Sequence, residues 1–207
     1  MQKTFAYIDD HFDGMVKELQ QFCAQPSIAA QNIGMQETAE LLVQMMRNAG
    51  IDARILENEH GYPVVYGEAK GACDKTLLFY NHYDVQPPEP IEKWTYPPFG
   101  SEIHGGVLYA RGCSDNKGTL LSRIQAIEAI LKSGHQLPVN VKFLVEGEEE
   151  IGSPSFEAFV HSHKDLLTAD ACLWENSAKD EDDNPVVKLG NKGMLYCQLH
   201  VKTGNTD

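Results

Sequence analysis

The chain has 207 residues, of which 42% are hydrophobic, enough for a sizeable globular core, so disordered and fibrous classes are excluded. Its 17 Lys and Arg residues are outnumbered by 30 Asp and Glu residues, and the formal net charge is −13. Because such a chain repels phosphate groups, we expect neither nucleic acid nor a membrane as a partner. The absence of a membrane-length apolar run and of a signal-peptide pattern predicts a cytoplasmic protein.

Two amphipathic helices are predicted at the start of the chain. Apolar residues recur at steps of three and four from Phe5 to Phe22 and predict a first helix that ends near Pro26. A second helix is predicted over residues 35–48, with Gly50 at the position of a C-terminal cap.

Short runs of branched and aromatic residues follow the two helices. They predict strands over residues 51–56, 64–68 and 76–80, separated by turn-forming segments. Residues 85–100 then contain five of the ten prolines of the chain, which excludes regular structure and fixes the backbone. We expect this loop to shape a site.

The remaining pattern alternates again between helix and strand. A long helix is predicted from near Asn116 to Gly134, a buried strand over residues 139–145, and a short apolar run over residues 171–174. Helices that alternate with short apolar strands predict an α/β fold with a mixed, largely parallel sheet flanked by helices on both faces.

The cysteines do not suggest a metal site or a disulfide framework. They are odd in number and widely spaced, and no two of them form a C-x-x-C pair. We expect reduced thiols, most of them buried, at the five positions Cys23, Cys73, Cys113, Cys172 and Cys197.

Imidazole and carboxylate groups lie directly after three of the predicted strands. His82 follows the strand at 76–80, a glutamate cluster at 148–150 follows the strand at 139–145, and Glu175 follows the run at 171–174. Ligands of open α/β sheets bind at the carboxyl ends of strands, so these groups are expected to converge. Asp115 opens the long helix, where the helix dipole favours an anion.

A set of His, Asp and Glu ligands without thiolate suits zinc, manganese or cobalt. A carboxylate can also bridge two such ions. Asp84, two residues beyond His82, is placed to accept the second ring N–H of the imidazole. His161 and His163 lie in a polar, helical stretch, and we interpret them as surface histidines.

Four segments carry a more specific pattern. They are LFYNHYDVQP at 78–87, WTYPPF at 94–99, GVLYARGCSDNKG at 106–118 and EGEEEIGS at 146–153. In this order they closely resemble the M20 family of metallopeptidases, and most closely its carnosinase-like dipeptidase branch. The resemblance covers essentially the whole chain and implies a zinc-peptidase-like catalytic domain that hydrolyses dipeptides or short peptides.

The resemblance also implies a centre of two divalent cations, with zinc preferred over manganese or cobalt. It makes His82 and Glu175 ligands of one ion, Glu150 a ligand of the other, and Asp115 the bridge between them.

The two remaining residues of the motif have catalytic roles by the same resemblance. Asp84 would orient the imidazole, and Glu149 would act as the general base that takes a proton from water and returns it to the leaving amine.

Family members continue beyond this point into a lid domain and then return to complete the catalytic domain. Because this sequence stops at Asp207, the resemblance implies that residues 1–207 are the N-terminal portion of that domain. It further implies that a last histidine ligand of the second ion is missing, that the chain alone is impaired, and that the full-length form is a homodimer through the lid domain.

Two other functions stay open at the level of sequence. Relatives with the same fold remove acyl groups from amino acids such as acetylornithine or succinyl-diaminopimelate. A non-catalytic module that binds metal or a partner is the other alternative. The presence of Glu149 beside Glu150 argues against it, since a module without turnover has little use for a second, free carboxylate.

Overall fold

A mixed five-stranded sheet organises Met1–Asn176, the larger of the two units into which the chain divides. The computed structural model describes residues 1–176, 178–190 and 193–204. The helices of the larger unit are α1 (Gln2–Ala24), α2 (Met35–Asn48), α3 (Lys117–Lys132), α4 (Phe156–Ser162) and α5 (Lys164–Leu167). Its strands are β1 (Asp52–Leu56), β2 (Val64–Ala69), β3 (Thr76–His82), β4 (Glu102–His104), β5 (Val107–Tyr109), β6 (Asn140–Glu146) and β7 (Ala171–Leu173).

The strand order of the sheet is β1-β2-β6-β3-β7. β3 runs parallel to both of its neighbours, with His82 opposite Glu146 on β6 and Phe79 opposite Leu173 on β7. β2 pairs antiparallel with both β1 and β6. The predicted mixed α/β sheet is confirmed, and its parallel part brings the carboxyl ends of β3, β6 and β7 to one edge.

Helices cover both faces of this sheet, as predicted. Leu42 of α2 and Ile124 of α3 share one core cluster with Phe143 of β6. Leu144, the next residue of β6, belongs to a second cluster that contains Phe159 of α4. Adjacent residues of β6 therefore pack on opposite faces of the sheet, because side chains alternate in direction along a strand. Among the helices of the described residues, none has both the length and the apolar composition that a membrane span requires.

Lys117, the first residue of α3, ties this helix to the end of α1. Its side chain is fully buried, and its ammonium group donates to the main-chain oxygens of Phe22 (3.0 Å) and Gln25. Burial lowers the pKa of Lys117 to about 8, which leaves it charged at neutral pH. A cation at a helix C-terminus is favoured by the helix dipole. The contact holds the start of α3, and the Asp115 loop before it, against α1.

A two-stranded hairpin, β4 and β5, was not predicted. Gly105 and Gly106 join its strands, both with positive φ (60° and 82°). A two-residue Gly-Gly connection is a hairpin signal. The strands themselves are only three residues long, too short to show the alternation that identifies a strand.

The expectation that most cysteines are buried is wrong. Cys23 is buried, but Cys73, Cys172 and Cys197 are exposed. Cys73 lies in the turn before β3, and Cys172 lies on β7, an edge strand of the sheet. Neither position is covered by a packed helix.

The second unit begins at Ser177 and contains a short antiparallel pair, β8 (Ala178–Lys179) and β9 (Pro185–Val186). The Asp180 carboxylate accepts the main-chain N–H groups of Asp182 (3.0 Å) and Asn184 (2.9 Å). These bonds shape the acidic turn between the two strands.

Two glycines within helices, one facing open space and one in close contact with a loop, provide a test of the packing of the larger unit. A Cβ on Gly14 in α1 would meet no atom within 4 Å, whereas one on Gly118 in α3 would lie 2.1 Å from the carbonyl oxygen of Cys113. We expect Gly14→Ala to raise the free energy of unfolding by about 0.5–1 kcal/mol, because alanine loses less backbone entropy. Gly118→Ala should lower it by about 1–3 kcal/mol, because the loop must move. Urea unfolding measures both changes, and stabilisation by both variants would contradict the close contact at Cys113.

Candidate metal centre

The imidazole of His82 is fully buried at the end of β3, between carboxylates on two sides. Nδ1 lies 3.0 Å from the main-chain oxygen of Asp84 and 3.2 Å from its Oδ1. Nε2 lies 3.1 Å from Asp115 Oδ1 and 3.0 Å from Glu175 Oε2. Burial lowers the pKa of His82, but the contacts with Asp115, Asp84 and Glu175 outweigh it and raise the pKa to about 12. These carboxylates therefore favour the protonated, imidazolium form of His82.

Three asparagine side chains fix Asp115 in this arrangement. Asn176 donates to Asp115 Oδ1 (3.0 Å), Asn116 donates to Asn176 (2.9 Å), and Asn81 donates to Asn116. The hydrogen bond with His82 lowers the pKa of Asp115, so this carboxyl is ionised. This chain of amides was not predicted from the sequence. The one signal for it is that each asparagine is the sequence neighbour of a predicted ligand: His82, Asp115 or Glu175.

Glu175 contributes a buried oxygen that has no hydrogen bond within the described residues. That oxygen, Oε2, lies 3.0 Å from His82 Nε2, which Asp115 Oδ1 also approaches. Of these two oxygens, only Asp115 Oδ1 has the geometry of a hydrogen bond with Nε2. The ligand atoms of His82, Asp115 and Glu175 lie within 4.8 Å of one another, the arrangement that a shared cation satisfies.

Arg123 of α3 holds the end of β7 beside the end of β3. Its guanidinium donates to the main-chain oxygens of Tyr80 (3.0 Å) and Trp174 (2.6 Å) and to the side chain of Asn81 (2.6 Å). Because Trp174 directly precedes Glu175, these bonds set the distance between Glu175 and His82. The sequence analysis did not identify this residue, which lies in the middle of a helix.

Glu149 and Glu150 lie on a short 3-10 turn after β6, and Asp84 holds this turn. The main-chain N–H of Glu149 donates to Asp84 Oδ1 (3.2 Å), and that of Glu150 donates to Oδ2 (2.9 Å). Since Oδ1 also faces His82, one buried carboxylate fixes both the imidazole and the turn. Gln86 donates to the Glu150 carboxylate (2.8 Å).

The two adjacent carboxyls are electrostatically different from an exposed glutamate. Burial is the main reason that the pKa of Glu149 rises to about 7, and the neighbouring charges of Glu175 and Glu150 add to it while His82 opposes it. Burial also raises the pKa of Glu150. Glu149 Oε2 lies 3.8 Å from His82 Nε2. Both groups therefore sit where a positive charge would favour their ionised forms.

Glu146 and Glu148, of the same acidic segment, are buried and bonded to other groups. Glu148 accepts the main-chain N–H groups of Tyr62 (3.3 Å) and Ser155 (3.2 Å) and also the Ser155 hydroxyl. Glu146 accepts the hydroxyls of Tyr80 (2.5 Å) and Ser153 (2.9 Å). These two glutamates anchor the loop, whereas the sequence analysis had treated 148–150 as one cluster.

The structure brings all six predicted site residues together, and we call this set the candidate metal centre. Its members are His82, Asp84, Asp115, Glu149, Glu150 and Glu175. Two groups in it have the spacing of metal ligands: His82 with Asp115 and Glu175, and His82 with Glu149 and Glu150. The second group differs from the expected pairing of Asp115 with Glu150.

The donor set fits a divalent cation. Five carboxylates surround one imidazole, and one buried carboxylate oxygen has no other partner among the described residues. His161 and His163 lie outside this centre, where His161 is exposed and His163 stacks on Phe159 with ring centroids 4.2 Å apart.

The chain is similar in sequence to known peptidases. The model of Peptidase family M20/M25/M40 matches residues 78–202. Human Beta-Ala-His dipeptidase is 31% identical over 230 residues, covering 100% of this chain and 44% of that protein. The chain thus spans less than half the length of this relative.

Solved structures show the same likeness. An M20 family metallo-carboxypeptidase from Sulfolobus solfataricus has a TM-score of 0.78 and 42% identity, covering 82% of this chain and 38% of that one. Human carnosine dipeptidase 1 has a TM-score of 0.77 and 30% identity, covering 84% of this chain and 41% of that one. Since the family match spans every residue of the candidate metal centre and most of the sheet that carries it, the chain belongs to peptidase family M20/M25/M40.

Proposed function

We propose that this chain carries the metal centre and the general base of a metal-dependent dipeptidase, with zinc as the preferred ion. The observation that carries the proposal is the convergence of His82 Nε2 with the oxygens of Asp115 and Glu175, one of which is buried without a hydrogen bond in the described part of the chain. Nitrogen and oxygen donors without thiolate suit zinc, manganese or cobalt.

In this proposal His82, Asp115 and Glu175 would hold one ion, and Asp115 and Glu150 would hold a second. The resemblance to the family assigns Glu149 the carboxylate that stays free of metal, although its spacing to His82 and Glu150 would also suit a ligand. Bound divalent cations supply Lewis acidity, which polarises a peptide carbonyl and lowers the pKa of water.

Glu149 is the proposed general base. Its carboxylate takes a proton from the attacking water and returns it to the leaving amine. A group whose pKa lies near 7 can accept and return a proton near neutral pH, and the pKa of Glu149 is raised to about 7 by its burial and by neighbouring carboxylates. The side chain is 34% exposed, which leaves it accessible to water and to substrate.

Asp84 is the proposed positioning residue for both ions. It contacts His82 Nδ1 on one side and the N–H groups of Glu149 and Glu150 on the other. A change at Asp84 therefore displaces a ligand of each ion and the base together.

The substrate class is proposed from the relatives. A dipeptidase and a metallo-carboxypeptidase are among the proteins most similar to this chain, which favours the peptide bond of a short peptide over an N-acyl group. A deacylase would instead hydrolyse N-acyl amino acids faster than dipeptides, and one assay distinguishes the two functions.

The assay compares dipeptides with N-acyl amino acids in a version of the protein as long as its relatives. We expect Glu149→Gln to lower dipeptide turnover by a factor of about 10²–10⁴, because the proton acceptor is lost. Zinc content should stay unchanged, because Glu149 is not a ligand. Glu157→Gln, a change at an exposed glutamate outside the centre, is the control and should keep full activity. Turnover retained in Glu149→Gln would show that Glu149 is not the general base. Hydrolysis of N-acyl amino acids that is faster than hydrolysis of dipeptides would indicate a deacylase.

Zinc binding should release a proton from His82. With the pKa of His82 raised to about 12, the imidazole is protonated at pH 8 and must lose that proton to coordinate zinc. We expect about one proton released per zinc at pH 8 and about a tenfold rise in affinity per pH unit. Calorimetry in buffers of different protonation enthalpy measures this.

The histidine variants complete that measurement. His82→Ala should abolish the proton release and weaken zinc binding. His104→Ala should change neither, because His104 pairs with Glu102 (2.8 Å) outside the centre. Zinc affinity that is independent of pH, or unchanged in His82→Ala, would contradict the assignment of His82 as a ligand.

Asp84→Asn tests the positioning role. An amide keeps the size of the side chain but cannot accept every hydrogen that the carboxylate accepts, so we expect zinc affinity to fall by about 10–100-fold. Asp170→Asn is a matched control, since the Asp170 carboxylate also accepts a main-chain N–H, that of Thr76 (2.9 Å), at the opposite end of β3. Equal zinc affinities of the two variants, measured by chelator competition, would refute the role of Asp84.

A further inference from the structure

A single oxygen of Glu146 accepts two hydroxyl groups that come from different parts of the chain. Glu146 is the last residue of β6, and its exposed fraction is 1%. Its Oε1 accepts the hydroxyl of Tyr80 on β3 (2.5 Å) and the hydroxyl of Ser153 (2.9 Å). Its Oε2 is buried and has no hydrogen bond among the described residues. The proposed reaction uses none of these three side chains.

Tyr80 extends this contact towards Glu175. The buried ring of Tyr80 stacks on the ring of Trp174, with centroids 4.0 Å apart and an angle of 30° between the planes. Arg123 already bonds to the main-chain oxygens of Tyr80 and Trp174, so the ring stack is a second link between the same two segments. Because Trp174 directly precedes Glu175, the place of the Tyr80 ring bears on the place of the Glu175 carboxylate.

Ser153 extends the contact in the other direction, towards Glu149. It is the second residue after the 3-10 turn Glu149–Ile151 and has a positive φ of 50°, which residues with a side chain seldom adopt. Its main-chain N–H donates to the oxygen of Glu148 (2.8 Å), and its hydroxyl donates to Glu146. The backbone that leaves the turn of Glu149 is therefore tied to the end of β6.

We propose that Glu146 is a positioning residue that couples the turn of Glu149 to the segment of Glu175, with Oε1 as the shared acceptor of the Tyr80 and Ser153 hydroxyls. The roles of Glu149 as base and Glu175 as ligand rest on the proposed function, but the coupling of the two segments rests on these hydroxyl contacts and on the ring stack.

The two oxygens of Glu146 distinguish this role from that of a charge. Because Oε1 accepts both hydroxyls and Oε2 accepts none among the described residues, an amide at this position keeps both hydrogen bonds. An apolar side chain of similar length removes the acceptor and leaves two hydroxyls without it. Glu146→Gln and Glu146→Met are therefore expected to behave differently.

The first test needs no metal. The two tryptophans of the chain, Trp174 and Trp94, give separate indole N–H signals in the ¹⁵N NMR spectrum of the labelled full chain. We expect Ser153→Ala and Glu146→Met to shift the Trp174 signal, because Ser153 is linked to Trp174 through Glu146 and Tyr80. The Trp94 signal should stay in place in both variants, and Glu146→Gln should leave both signals unchanged.

Zinc affinity, measured by chelator competition on the full chain, tests whether the coupling acts on the metal ligands. We expect Glu146→Met to lower the affinity by about tenfold and Glu146→Gln to change it by less than about twofold. Tyr80→Phe and Ser153→Ala should each lower the affinity by about threefold in the unmodified chain and have no further effect in Glu146→Met. The effects of two residues that act through one shared partner are not additive.

Tyr66→Phe is the matched control. Tyr66 is likewise a fully buried tyrosine whose hydroxyl donates to a glutamate, Glu68 on β2 (2.7 Å). We expect this change to alter neither the Trp174 signal nor the zinc affinity.

Three results would overturn the proposal. Glu146→Gln that behaves like Glu146→Met would show that the charge of Glu146, and not its acceptor oxygen, is what matters. Additive effects of Tyr80→Phe and Glu146→Met on zinc affinity would show that the two residues act separately. A Trp174 signal that stays in place in Ser153→Ala would show that the two segments are not coupled, even if Glu146→Met does not fold. A chain that binds no zinc would contradict the proposed function, whereas the metal-free spectra would still decide the coupling.

Discussion

Parallel pairing of β3 with β6 and β7 is the constraint on which the candidate metal centre depends. With His82 opposite Glu146, the chain that leaves β6 emerges beside the imidazole, and Glu149 and Glu150 follow at once. The pairing of β7 with β3 brings Glu175 Oε2 to 3.0 Å from His82 Nε2. Had either neighbour been antiparallel, its site residues would leave the sheet at the opposite edge. Asp115 is added from the start of α3, which the buried contact of Lys117 with α1 holds in place.

The same convergence creates a concentration of negative charge that the fold must tolerate. Five carboxylates face one imidazole, and burial among them raises the pKa of Glu149 and of Glu150. Two features offset the repulsion in the absence of a cation. His82 retains a proton and acts as a counter-ion, and the Asp84 carboxylate is satisfied by two main-chain N–H groups. Under the proposed function, a bound ion would replace this proton with a larger positive charge, so the arrangement that costs stability in the free chain would provide the affinity for the ion.

The sequence predicted the parts of this fold that depend on local periodicity and on strand ends. The predicted helices and strands agree with α1, α2, α3, β3 and β6, because their apolar residues repeat at helical spacing or form short buried runs. The six site residues come together because they follow strands or open a helix. The contacts that orient them were not predictable, because they join residues far apart in sequence. Arg123 reaches the end of β7 from α3, and Tyr62 donates to Glu148 from a loop 86 residues earlier in the chain.

The acidic segment at 146–150 shows how backbone contacts assign different roles to identical side chains. Glu146 and Glu148 are buried and accept hydrogen bonds from hydroxyl and amide donors, whereas Glu146 Oε2 has no hydrogen bond among the described residues. The next two glutamates are left facing the site, because Asp84 holds their N–H groups from the other side. Hydrogen bonds of Glu148 and of Asp84 thus fix the backbone at both ends of the turn. The Glu149 and Glu150 side chains extend from this fixed backbone in different directions. Under the proposed function, a ligand and a general base would be adjacent in sequence with their main-chain positions fixed by the two hydrogen bonds to Asp84.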